Sequence, residues 1–171
     1  MAVTYEPIAT TTLGSAASSI TFSSIPATYT DLKIIFVARS ARSNLTDQPR
    51  LQYNADTGAN YSRTVLRADG SIAESFRNTG QTYIIIGSQI PAATASSGLF
   101  GFIELDIFSY AGSTFKTLFS SDSGDMNGSG YVDRIIGLWR STDAITSIKL
   151  YAEIGNLDTG TTATLYGIKA A

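Results

Sequence analysis

Glu104 and Asp106 stand two residues apart in a run that alternates like a β-strand, so their carboxylates share one face. Two carboxylates set on facing elements can act as general acid and base in glycoside hydrolysis. On a single strand, flanked by Phe102 and Phe108, they read instead as two charges on a solvent-exposed or interface-facing strand. The stretch Ser123-Gly124-Asp125-Met126-Asn127-Gly128 begins like a calcium loop, with oxygen donors at alternate positions and glycine at the sixth. Serine stands where the first carboxylate belongs, and Arg134 brings a cation to the twelfth position. That leaves a surface loop, Ser123 to Arg134, with at most weak cation affinity.

The chain contains no histidine and no cysteine. It therefore has no side chain that ordinarily titrates near neutrality, no thiolate nucleophile and no disulfide. Serine nucleophiles would need a lysine base, and nothing in the spacing of Lys33, Lys116, Lys149 or Lys169 singles one out. No glycine-rich phosphate cradle opens a helix. The single tryptophan, Trp139, could be a stacking platform, but within an apolar strand it reads as core. The expectation is a chain with no catalytic residues, no cofactor and no metal.

Composition supports that reading. The charged fraction is 15%, against the usual ~25% of globular chains. Serine and threonine take up much of the difference, as on strands wetted by hydroxyls. With a pI of about 5.0 there is no basic footprint for nucleic acid. Arg39, Arg42 and Arg50 form the densest basic stretch, yet Asp47 interrupts it, so they read as a solvated strand end and loop. Residues 1–7 lack a basic n-region and an apolar run, so no signal peptide is expected, and no stretch reads as a membrane span. Synthesis and assembly in a cytoplasm are expected.

The elements that must carry these residues are strands. Period-2 alternation recurs throughout and no helical period is convincing. Strands are expected near residues 20–22, 31–39, 51–53, 61–68, 71–76, 83–86, 99–110, 115–119, 134–140, 148–154 and 163–168. Asp69-Gly70 predicts a tight type I′ hairpin. Ser120 to Gly130 reads as a glycine- and aspartate-rich loop. Leu32, Ile34, Phe36, Ile103, Leu105 and Ile107 are the predicted core. About ten short antiparallel strands make an all-β, single-domain β-sandwich over residues 1–171, jelly-roll-like.

Several segments together carry a family pattern. They are Tyr5-Glu6-Pro7-Ile8-Ala9, Ile20-Thr21-Phe22-Ser23-Ser24-Ile25-Pro26 and Thr28-Tyr29-Thr30-Asp31-Leu32. Further on come the run from Leu51 to Ser62, Tyr110-Ala111-Gly112-Ser113-Thr114, Ile136-Gly137-Leu138-Trp139, and the ending from Thr162 to Lys169. The chain resembles a family of small virion proteins of tailed phages, including cyanophages. The resemblance implies a virion structural protein with a jelly-roll-like sandwich. Its first implied role is a head decoration or cement protein bound to the major capsid protein or another virion protein, often as a homotrimer. The alternative is a tail or fibre component that binds a glycan on the host surface. It carries no catalytic residues over to this chain, and no repeats of a fibre shaft are present. Low surface charge adds the expectation of a symmetric homo-oligomer.

Overall fold

The computed structural model describes residues 4–169. Its strands, in chain order, are β1 (Tyr5–Thr12), β2 (Ile20–Phe22), β3 (Asp31–Ala38), β4 (Thr46–Asp47), β5 (Pro49–Tyr53), β6 (Tyr61–Ala68) and β7 (Ala73–Gln81). They continue as β8 (Ile84–Ile85), β9 (Ile90–Pro91), β10 (Gly101–Phe108), β11 (Lys116–Asp125), β12 (Gly130–Trp139), β13 (Ile148–Ala152) and β14 (Thr162–Ile168). The described residues hold fourteen strands where about ten were expected: β4 and β9 are two-residue pairings too short for a period-2 signal, and β1, without a buried residue, carries no apolar alternation.

The strands form an all-β sandwich. An eight-stranded sheet runs in the order β1-β14-β3-β10-β11-β12-β6-β7, and a four-stranded sheet in the order β2-β13-β5-β8. A two-stranded ribbon, β4-β9, accompanies them. All ladders are antiparallel.

Alternation decides what each strand buries. On β3 the inward set is Leu32, Ile34, Phe36 and Ala38; on β10 it includes Ile103, Leu105 and Ile107. All six predicted core residues are fully buried. They meet Ile148 and Leu150 of β13 and Leu51 of β5 in one continuous core. Each such side chain contributes about 1.5–3 kcal/mol by leaving water. Trp139 lies in this core as expected, packed on Tyr53 and Tyr61 with ring centroids 5.4 and 6.3 Å away.

β1 and β14 tie the two ends of the described chain into one ladder. A bulge between Pro7 and Ala9 accommodates a proline that has no N–H to give. Outward threonines link the pair: Thr10 donates to Thr164 at 3.1 Å, and the Thr12 and Thr162 hydroxyls lie 2.9 Å apart.

Two local expectations need correction. The hairpin after β6 is a four-residue loop, Asp69 to Ile72, not a two-residue type I′ turn. Only Gly70 has positive φ, and the Asp69 carboxylate accepts the N–H groups of Ser71 and Ile72, an aspartate-capped turn. Nor is Ser120 to Gly130 a loop. Its first six residues continue β11, and Gly130 opens β12.

Candidate functional site: the outer face of the large sheet

The face of the eight-stranded sheet turned away from the core can be read row by row from the strand register. One row runs Thr164, Ile35, Glu104, Ser121, Arg134, Leu66, Ser75 from β14 to β7. The next runs Tyr166, Lys33, Asp106, Phe119, Ile136, Thr64, Arg77. Beyond the first row lie Phe102, Ser123 and Val132; beyond the second, Phe108, Thr117 and Leu138. Leu66 and Val132 are 58% exposed, Ile136 54%, Phe108 47% and Phe102 40%. Scattered single apolar residues on a surface are ordinary; several on adjacent strands form a patch that calls for a cover.

Charge on this face is sorted by side. Lys33 sits between the two carboxylates singled out from the sequence, in contact with Glu104 and 3.0 Å from Asp106 Oδ1. Partial burial works against its ammonium, but hydrogen bonds to Glu104 and Asp106 outweigh it and hold its pKa above the ordinary lysine value. The carboxylates therefore form an ion-paired strip, not an acid and a base across a cleft. On the other side Arg134 and Arg77 are exposed and pair with no carboxylate among the described residues. Among the described residues Arg134 donates to the carbonyl of Asp133 alone.

The other sequence candidates are placed elsewhere. The calcium-like stretch is the β11–β12 hairpin, turning at Asn127 and Gly128 with φ of 67° and 91°. Asp125 Oδ1 accepts the Gly128 N–H at 2.7 Å, so this carboxylate caps the turn. Beside the β6–β7 turn it lines a shallow open cleft of about 350 Å³. Lys116 is buried and donates to the carbonyls of Gly112 and Thr114 at 2.6 and 2.5 Å. Burial lowers its pKa, against the opposing charge of Asp143. Lys149 lies over the Tyr151 ring, and Lys169 pairs with Glu6. The structure brings no serine hydroxyl into a hydrogen bond with any of these lysines among the described residues. Trp139 Nε1–H donates to Asp56 Oδ2 at 2.6 Å, a core tryptophan with a satisfied polar edge.

Two features escaped the sequence reading. Arg39 is not a solvated strand end. It is buried and donates to the carbonyls of Ser96, Leu99, Ala93 and Ala95, clamping the segment before β10, with Asp158 3.5 Å from its Nε. The second is a pair of buried acids. Asp122 of β11 and Asp133 of β12 are cross-strand partners, 2% and 0% exposed. Ser88 N–H donates to Asp133 Oδ2, whereas both oxygens of Asp122 and Oδ1 of Asp133 lack an ordinary partner. Burial, reinforced by the charge of Asp133, pushes the Asp122 carboxyl up to about 8. Asp122 is then a neutral acid at neutral pH, facing an acceptor. The pair is sealed beneath Gly87, where an added Cβ would lie 2.4 Å from Asp122 Oδ2, and it has no opening for a substrate.

No family model and no curated protein matches the chain. Among solved structures, galectin LEC-6 of Caenorhabditis elegans aligns at a TM-score of 0.32 and 10% identity, over 91% of this chain and 94% of that one.

Proposed function

We propose that this chain is a virion structural protein that works by surface contact, as a decoration or cement protein on the outer shell of a tailed-phage head. The observation that supports it is the open apolar face on the eight-stranded sheet, carried on a rigid sandwich whose first and last strands pair with each other. A cement protein needs a complementary surface on a stiff body and no pocket. The major capsid protein, or another virion protein, is its partner, and the resemblance adds a trimer at a symmetry axis.

The second reading, a tail or fibre module binding host glycans, would draw on the aromatics near β7. Those rings already carry arginines: Arg50 lies over Tyr83 at 3.9 Å, and Arg67 over Phe76 and Tyr131 at 5.1 and 4.9 Å. Sugar stacking would have to use their remaining faces, which favours the cement role.

The test is addition of the purified chain to phage heads stripped of decoration proteins. Saturable binding that raises the temperature of genome release supports the proposal. Heads that neither bind the chain nor gain stability count against it.

A further inference from the structure

We propose that the outer face of the eight-stranded sheet docks a second copy of this chain, face to face, about a two-fold axis running along β11. The inference goes beyond the structural role proposed above: in the free protein a second copy occupies this face, and docking on a head would displace it.

β11 is the centre of a seven-strand set, with β10, β3 and β14 on one side and β12, β6 and β7 on the other. A two-fold axis along β11 lays β10 of one copy over β12 of the other, β3 over β6 and β14 over β7. β1, the odd strand, falls outside the contact. Because such an axis preserves position along the strands, each residue meets its row-mate from the opposite side.

The pairs that result are complementary in charge and in shape. Glu104 of one copy faces Arg134 of the other, since both stand in the row of Ser121. Phe102 faces Val132 and Phe108 faces Leu138. Every pair occurs twice, as an isologous interface requires. By the same rule Asp106 faces Ile136, Lys33 faces Thr64 and Arg77 faces Tyr166, so the contact of unlike charge is Glu104–Arg134, made twice by symmetry. The reverse arrangement, with the axis across the strands midway between the two rows, would place Glu104 against Asp106.

Size is adequate. Seven strands at ~4.8 Å and seven residues at ~3.4 Å give a footprint of roughly 34 by 24 Å, on the order of 800 Å². A standard stable interface buries about that per partner. Two sheets packed face to face ordinarily keep their mean strand directions within about 30° of each other, and the parallel overlay of β11 on its mate lies within that range. A two-fold contact makes a dimer, which departs from the trimer implied by the resemblance.

The experiment is sedimentation equilibrium on the purified chain, with its variants checked for folding by circular dichroism. The expected species has twice the 18.1 kDa chain mass. Arg134→Glu and Val132→Asp, both outward-facing, should each weaken it by more than about tenfold, whereas Thr10→Arg on β1 should not. A second measurement uses the absence of native cysteine. A lone Ser121→Cys lies beside the axis, with its mate about 10 Å away across the sheets, so a short bismaleimide should join two chains. A lone Thr10→Cys should not be joined. A monomer at up to roughly 1 mM, a three-fold species, or a dimer indifferent to both face variants overturns the inference. A monomer that still binds phage heads overturns it while leaving the cement role intact. A face-dependent dimer that binds no heads supports it while removing that role.

Discussion

Asp122 and Asp133 face each other across the β11–β12 ladder, 2% and 0% exposed, and the Ser88 N–H donates to Asp133 Oδ2. Two ionised carboxylates at that spacing in low dielectric are costly, and one proton removes most of the cost.

The pair makes stability depend on pH. Asp122 holds its proton more tightly folded than unfolded, with a carboxyl raised from 3.8 to about 8. The native state therefore binds the extra proton across that window, and its stabilisation is complete below the unfolded value and lost as pH rises through the folded one. With no histidine in the chain, little else titrates between pH 5 and 8. Urea unfolding at pH 5.5 and 8.5 should show the protein more stable at the lower pH by more than about 1 kcal/mol. Asp122→Asn should flatten the difference; equal stability of the wild type at both values would show that the pair does not share a proton.

Arg39 should matter far more than a surface arginine. Its guanidinium satisfies four carbonyls between Ala93 and Leu99. Arg39→Met keeps much of the buried stem but leaves those acceptors empty, at a cost of about 2–4 kcal/mol. Hydrogen exchange should rise over residues 92–100 and little elsewhere. Unchanged protection there would assign the segment's order to another cause.

Arg39 read as a solvated strand end, and Asp122 lay in a stretch that read as a loop. Ser120 to Asp125 is serine and aspartate with a glycine, a composition that signals a turn, because the apolar inward residues that reveal a strand are replaced there by Ser120 and Asp122. Ser120 is satisfied by the Ile86 carbonyl, and burial raises the pKa of Asp122, so a polar strand is buried without an apolar signature. Strands with clean alternation, such as β3 and β10, were legible to their inward residue sets. The outward placement of Phe102, Glu104, Asp106 and Phe108 was legible for the same reason. Their neighbours across the sheet were not, since register between distant strands is set by the whole fold. The row joining Glu104 to Arg134 exists only in three dimensions.

Leu105 tests the core directly. It is fully buried at the middle of β10. Leu105→Ala should cost about 2–5 kcal/mol in chemical denaturation. A loss below about 1 kcal/mol would mean that the site collapses around the smaller side chain.

Trp139 provides a native reporter. Packed on Tyr53 and Tyr61 and bonded to Asp56, its indole should emit at short wavelength and shift to the red on unfolding. Burial tends to raise the Asp56 pKa, but hydrogen bonds from Trp139, Asn60 and Gly58 outweigh it and lower it. Trp139→Phe removes the indole donor, leaving part of the Asp56 carboxylate unbonded, and should cost about 1–3 kcal/mol. A neutral effect would show that Asn60 and Gly58 suffice.

The most direct test of the account is the chain's place on a particle. A gold-conjugated antibody against this protein, imaged by electron microscopy on tailed-phage virions that carry it, reads that place without further assumption. The account predicts regular labelling over the head. Label confined to the tail would contradict it.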